Sequence, residues 1–172
     1  RTIFEKYYST TPDVARDMES VTKSVIATLV GAAIAKGDIA SVDQSLADLL
    51  PAYAPTMTPA VASVTLRQLL TMTAGVPDWT EETAPIATHA TDWVAAILAT
   101  MTPTADAKFV YSNPDAHLVA AVLTQATGRS VLDFARAVLF TPSTSTRRRP
   151  SLRWRRRATP PNTWRPSSPG RS

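Results

Sequence analysis

The sequence of 172 residues contains no cysteine, which excludes a disulfide framework and a thiolate metal site. Histidine is scarce. His89 and His117 stand far apart, in neither H-x-H nor H-E-x-x-H spacing, so a metallohydrolase is not expected and no metal is assigned. Long apolar runs are missing as well. The most apolar stretch, Val25 to Ala35, is too short to span a bilayer and reads as a buried helix. Hydrophobic residues at 44% and charged residues at 19% suit a soluble globular chain long enough for one domain with a core.

Acidic residues are absent from one part only. Residues 141–172 carry nine arginines and no Asp or Glu, a net of +9; residues 1–140 carry nine Lys/Arg and fourteen Asp/Glu, a net of −5. The formal charge of +4 therefore belongs to no single body, and the chain reads as an acidic domain joined to a basic tail. There is no initiating methionine. The chain begins at Arg1 inside an apparent strand, so the true N-terminus, with any signal peptide, is expected to be missing. A cysteine-free sequence fits cytosol, periplasm or exterior equally, and compartment stays open.

Residues Arg1 to Tyr8 alternate loosely and predict an edge strand. Val21, Ile26, Leu29, Val30, Ala33 and Ile34 then recur at helical spacing, from Ser20 at an N-cap position to Gly37 at a stop position. Ser41 and Asp43 are expected to open a second short helix with Leu46, Leu49 and Leu50, ended by Pro51. Thr65 caps a third that carries Leu66, Leu69, Leu70 and Met72 and ends at Gly75. A fourth runs from Thr91 through Trp93, Val94, Ile97 and Leu98. Lys108 to Tyr111 leans toward strand. A fifth helix follows on Leu118, Val119, Val122 and Leu123, closed by Gly128, and Ser130 caps a sixth with Val131, Phe134, Val138 and Leu139. There are no internal repeats. After Phe140 the periodicity stops: the last thirty-two residues hold six prolines and no Val, Ile or Phe, too little apolar surface to offset the entropy of ordering them. The domains are thus read as 1–140 and a disordered Pro/Arg-rich tail, 141–172.

Two short constellations carry the chemistry. Ser20-Val21-Thr22-Lys23 has the form S-x-x-K, which places hydroxyl and amine on one helix face. A serine hydroxyl needs a neighbouring base to become nucleophilic, and a lysine serves only where burial or other cations lower its pKa. Ser20 at a helix N-terminus also meets a positive dipole that favours a developing anion. Taken alone, the motif reads first as an N-capping serine beside a solvated lysine, since S-x-x-K recurs by chance in chains of this size. Tyr111-Ser112-Asn113 has the form Y-x-N, 91 positions after Ser20. A tyrosine facing a lysine ammonium has a lowered pKa and can share the base role, and an asparagine can bond both lysine and a substrate amide. Taken alone it is equally a turn, with Asn113 capping a helix that begins at Pro114. His117 reads as a surface or packing residue, Trp79 and Trp93 as core or rim. Asp78 and the Glu81–Glu82 pair read as loop residues without a general-acid role.

The two motifs in this order, with "SVTKSVIATLVGAAIAKGDI", "VTLRQLLTMTAGV" and "FVYSNPDAHLVAAVLTQATG" around them, resemble the penicillin-recognising serine hydrolases, in particular class C β-lactamases, D-alanyl-D-alanine carboxypeptidases and related carboxylesterases. The resemblance covers roughly residues 1–140. It implies an α/β (α+β) serine β-lactamase/transpeptidase-like fold, of which this chain holds mostly the helical region and little of the antiparallel sheet. It also implies Ser20 as the acylated nucleophile, Lys23 and Tyr111 as the groups that handle protons, and Asn113 as the residue that positions Lys23 and the substrate amide. The reaction implied is two-step acyl transfer on a small-molecule amide or ester without metal or organic cofactor, and the resemblance tilts localisation toward the cell envelope or export.

The family also needs a downstream Lys/His-Ser/Thr-Gly-type strand, whose backbone N–H would join that of Ser20 in an oxyanion hole. No K-T-G, K-S-G or H-x-G follows Tyr111, so little or no turnover is expected of this chain. One permitted codon set for Thr141–Arg149, read two bases further on, gives Pro-Leu-Asp-Ile-Asp-Thr-Pro-Pro, close to the Pro-Leu-Gly-Ile-like turn common in the family. Residues from about Thr141 onward are therefore read as frameshifted translation, an idea that the nucleotide sequence beyond the Phe140 codon decides. A rival reading takes the tail at face value: arginines interleaved with Trp154 and Trp164 would bind nucleic acid by phosphate neutralisation and stacking, with the helical part as a non-catalytic scaffold. The match of residues 1–140 to hydrolase motifs makes that the lesser alternative.

Overall fold

The structure, a computed structural model, describes residues 4–8, 10–11, 13–79, 89–105 and 108–141. Glu81, Glu82, Trp154, Trp164 and the basic tail from residue 142 onward lie outside the described residues. The described part is helical: α1 (Val21–Lys36), α2 (Leu46–Leu49), α3 (Pro59–Ala62), α4 (Leu66–Leu70), α5 (Trp93–Thr100), α6 (Asn113–Thr127) and α7 (Val131–Ala135), which runs on into a π-helical turn over Arg136–Phe140. A 3₁₀ turn at Ala54–Thr56 links α2 to α3.

The central element is α6, packed against α1, α4 and α5. Its Leu118, Val119, Val122 and Leu123 are buried at i, i+1, i+4 and i+5, one stripe of a helix. They meet Leu29, Val30 and Ala33 of α1, Leu66 and Leu69 of α4, Ile97 and Leu98 of α5, and Phe134 of α7 in one core. Gly37 (φ +82) and Gly128 (φ +64) end α1 and α6 in the left-handed conformation, as their positions in the sequence indicate.

Where expectation and structure differ, the differences have local causes. Phe4–Tyr8 form no strand; an edge strand needs a neighbouring ladder, and none pairs with these exposed residues among those described. Arg1–Ile3 lie outside the described residues. Helix α2 starts at Leu46, capped by Ser45, because the Ser41 hydroxyl instead closes a turn on the Asp43 N–H (3.1 Å). The sequence pattern does not reveal α3, a single turn capped by Thr58 with Pro59 as its first residue. Helix α5 begins at Trp93 with Asp92, not Thr91, as its cap. Helix α4 stops at Leu70, well before Gly75. Gly75 (φ +73) serves a close backbone approach instead of a helix end, since a Cβ there would lie 2.5 Å from the Thr102 carbonyl oxygen. Its own carbonyl accepts from the Thr102 N–H at 2.8 Å, tying the loop that follows α4 to the end of α5.

Candidate active site

Helix α1 delivers Ser20 and Lys23. The residue before Ser20, Glu19, has φ +46, a left-handed conformation that costs a non-glycine residue about 1–2 kcal/mol. Ser20 itself is helical (φ −66, ψ −14) and its side chain makes no capping bond. The Val21 and Thr22 N–H groups bond instead to the Met18 and Glu19 carbonyls (3.1 and 3.0 Å), which leaves the Ser20 hydroxyl available for other partners. Val21, expected on the apolar face, is 62% exposed, because this first turn projects past the core toward Tyr111.

Tyr111 arrives from the opposite side. Met72, just past α4, has φ +54 and turns its carbonyl to accept from the Val110 N–H at 3.0 Å. That bond ties segment 108–111 to the residue after α4; the segment forms no strand, since no ladder continues it among the described residues. The Tyr111 hydroxyl then lies 2.6 Å from Ser20 Oγ.

Lys23 closes the group. Its Nζ donates to Ser20 Oγ at 3.1 Å and to Asn113 Oδ1 at 2.7 Å, and sits 5.0 Å from the Tyr111 ring centroid. Its aliphatic stem lies along a small apolar hollow, open to solvent, lined with Ile26, Leu69, Leu70 and Val119. All four residues singled out in the sequence, Ser20, Lys23, Tyr111 and Asn113, thus stand in one hydrogen-bonded chain. The neighbouring Lys23 ammonium, then the hydrogen bond to Ser20, hold the Tyr111 phenol below its ordinary pKa, against desolvation and a weaker opposition from the Asp78 charge.

Asn113 does not cap α6. Ser112, fully buried, is the cap: its Oγ accepts from the Asp115 N–H at 3.1 Å. Asn113 is the first helical residue and its side chain is available to Lys23. The signal for this lies in the S-x-x-D spacing of Ser112 and Asp115 and in Pro114 within the first turn. Asp78, a plain loop residue by sequence, also belongs to the site. Its Oδ1 accepts from both the Asn113 backbone N–H (2.9 Å) and the Asn113 side-chain Nδ2–H (3.2 Å). One turn along α6, His117 touches Trp79 and Trp93, ring centroids 5.0 and 5.2 Å away. Desolvation, with a smaller contribution from the Lys23 charge, pushes the imidazole pKa down, although the residue keeps an exposed edge. His117 is a packing residue here, at the rim formed with the two tryptophans.

Among the described residues there is no cluster of three or more His, Cys, Asp or Glu that could hold a metal ion, and no helix long and apolar enough to cross a membrane.

A family model described as Beta-lactamase matches residues 1–172. No curated protein sequence matches the chain significantly. Among solved structures, the chain is similar to the crystal structure of a novel penicillin-binding protein homolog from Caulobacter crescentus, at 26% identity and a TM-score of 0.55 over 72% of this chain. It covers 33% of that protein, so it spans about a third of that structure's length. The mainly helical character of the described residues is that of the helical region of such an α/β fold. With a family match over its whole length and a penicillin-binding-protein homolog as structural relative, this chain belongs to the β-lactamase family.

Proposed function

We propose that the chain carries the nucleophile half of a serine hydrolase site, in which Ser20 is acylated by the carbonyl of an amide or ester. The observation that carries this is the chain of hydrogen bonds from Tyr111 through Ser20 and Lys23 to Asn113. Its polarity is fixed at the Lys23 end. A lysine ammonium has three donors and no acceptor, so Lys23 donates to both Ser20 and Asn113. The Ser20 and Tyr111 hydroxyls share the remaining 2.6 Å bond, in which either oxygen can donate; with Tyr111 ionised, Ser20 is the donor. Lys23 and Tyr111 are the proton-handling pair: we assign the base role to Tyr111 in its phenolate form, which the Lys23 ammonium favours by lowering the phenol's pKa.

In the acylation step the Ser20 proton passes to the Tyr111 phenolate as Oγ bonds to the substrate carbonyl carbon. When the tetrahedral intermediate collapses, the carbonyl carbon's bond to the leaving nitrogen or oxygen breaks, and that atom takes the proton from Tyr111. Water, deprotonated by the same phenolate, then releases the acid and restores Ser20. Asn113 holds Lys23 and offers Nδ2–H or Oδ1 to the substrate amide. The α1 N–H groups of Val21 and Thr22 are engaged with Met18 and Glu19, so an oxyanion hole draws on the Ser20 N–H and on a second donor from outside this helix.

The substrate class is a β-lactam, a D-Ala-D-Ala peptide or a simple carboxylester. In this reading residues 1–140 are the hydrolase part and 141–172 a separate basic segment, and turnover by this chain is low because the second wall of the cleft is not among its recognisable motifs. The test is labelling with a fluorescent penicillin and a fluorophosphonate. We expect slow covalent labelling of wild type, none of Ser20→Ala, and no sustained hydrolysis of nitrocefin or p-nitrophenyl esters. Labelling that persists in Ser20→Ala would remove Ser20 from this role; robust hydrolysis abolished by Ser20→Ala would sink the low-turnover part alone.

A further inference from the structure

We propose that Asp78 is a positioning residue of this site, acting through Asn113 to hold Lys23 against Ser20 and Tyr111; the proposal rests on the reading of Ser20 as nucleophile. Three features of the structure carry it.

The first is that one carboxylate oxygen, Asp78 Oδ1, accepts two hydrogen bonds from the same residue, at 2.9 Å from the Asn113 backbone N–H and 3.2 Å from its Nδ2–H. The backbone bond satisfies one of the donors left open at the start of α6. A cap needs no more than that. The second bond acts on the side chain and decides which way the amide faces: Nδ2 toward the Asp78 carboxylate, Oδ1 toward the Lys23 ammonium at 2.7 Å. Turning the amide over would set its oxygen against a carboxylate and its NH₂ against an ammonium, so the two charges lock one orientation.

The second feature is how Asp78 is itself held. The Gly75 carbonyl accepts from the Thr102 N–H, and the backbones approach so closely that no side chain fits at Gly75. The loop bearing Asp78 is therefore pinned three residues before it. Next along the chain, Trp79 packs on Trp93 and His117, which pins the loop on the other side.

The third is reach. Lys23 is the only member of the chain of bonds that touches both Ser20 and Asn113. Freed from Asn113, a long flexible side chain samples several rotamers, and displacement of a reacting group by about 1 Å costs about 100-fold in rate. Asp78 touches none of the reacting atoms, and no proton passes through it.

The experiment compares Asp78→Asn with Asp78→Ala. Both remove the charge, but only Asn keeps an oxygen that accepts the two Asn113 bonds. Any difference between them therefore reports positioning. We measure the fluorophosphonate labelling rate of Ser20 across pH and, separately, the ionisation of Tyr111 by ultraviolet difference titration against Tyr111→Phe. Asp78→Ala is expected to label about 10–100-fold more slowly than wild type, and Asp78→Asn to recover most of that loss. Tyr111 is expected to ionise at higher pH in Asp78→Ala than in Asp78→Asn, since only the former lets Lys23 move away. In an Asn113→Ala background the difference between the two variants should vanish. Equal labelling rates and equal Tyr111 titrations for the two variants overturn the proposal. If wild type does not label at all, the Ser20 reading falls. The titration then still decides whether Asp78 positions Lys23, because it needs no acylation. Should Asp78→Ala fail to fold, Asp78→Ser, too short to reach Asn113, takes its place with the same expected and overturning results.

Discussion

Among the described residues, four helices start at a serine with a charged residue three positions on, aspartate in three and lysine in one, and the serine is used in three ways. Ser45-x-x-Asp48 and Ser130-x-x-Asp133 are exposed. In each the serine oxygen accepts the Asp N–H (3.2 and 3.1 Å) and its hydroxyl donates to the Asp carboxylate (2.6 and 2.8 Å). Ser112-x-x-Asp115 makes the first bond but not the second: Asp115 is 1% exposed and both its carboxylate oxygens lack a hydrogen-bond partner. Ser20-x-x-Lys23 makes neither, and puts a cation where the helix dipole disfavours one. Of the seven α-helices among the described residues, α1 alone has no side-chain cap. The difference separates two uses of a serine at a helix start. Where the hydroxyl caps, it stabilises. Where a lysine stands three residues on and a left-handed residue precedes, the hydroxyl is left to bond Tyr111 and Lys23, at a local cost of about 1–2 kcal/mol.

That contrast can be broken by substitution. The largest effect belongs to Ser20→Ala, which should abolish covalent labelling while moving unfolding stability by less than about 0.5 kcal/mol, since no cap is lost. A urea unfolding curve that shifts by a full cap's worth would mean that Ser20 is a structural serine after all.

Next comes Asp115. Burial raises its carboxyl to about 7, above the 3.8 of an unfolded chain. At pH below about 4 the group is protonated in both states and imposes no pH-dependent penalty. As pH rises from about 4 to about 7 the unfolded chain gives up its proton and the folded one keeps it, so stability falls by about 1.4 kcal/mol per pH unit, on the order of 4 kcal/mol in all. Asp115→Asn should remove this slope, matching wild type near pH 4 and exceeding it at pH 8 in denaturant midpoint. Parallel pH profiles for the two proteins would show that Asp115 is paired in solution.

Ser112→Ala should cost about 1–2 kcal/mol, because it strands a buried N–H. It should also slow Ser20 labelling severalfold as the first turn of α6 loosens around Asn113. Thr65→Ala, at the capping box that Thr65 forms with Gln68 at the start of α4, should cost about 1 kcal/mol and leave labelling unchanged. Equal labelling losses in these two variants would mean that any loosening of the fold, and not the start of α6 in particular, governs the site.

Much of this arrangement is legible in the sequence. Apolar residues at three- and four-residue spacing identify α1 and α6, and Gly37 and Gly128 end them where glycine alone takes a left-handed conformation without strain. That Ser20, Lys23, Tyr111 and Asn113 would meet is legible in part, because S-x-x-K and Y-x-N each join residues that are close in the chain. Short elements are harder to place. Ser41, Ser45 and Asp43 all qualify as caps by residue type, and only the pairing of Leu46 N–H with the Val64 carbonyl and Leu66 N–H with the Gln44 carbonyl (2.7 and 3.1 Å) settles where α2 begins.

By itself, the sequence determined the residue types, the two long helices and the family, since periodicity, capping chemistry and local motifs are properties of neighbouring residues. The tertiary structure decided which serine caps and which does not. Ser20 and Ser112 stand at similar positions in similar patterns; what separates them is that Tyr111 lies 2.6 Å from one hydroxyl while the other is buried against its own helix. Asp78 makes the same point: nothing near it in the chain marks it out, and its contact with Asn113, 35 residues on, exists only because the loop after α4 is drawn up against the first turn of α6.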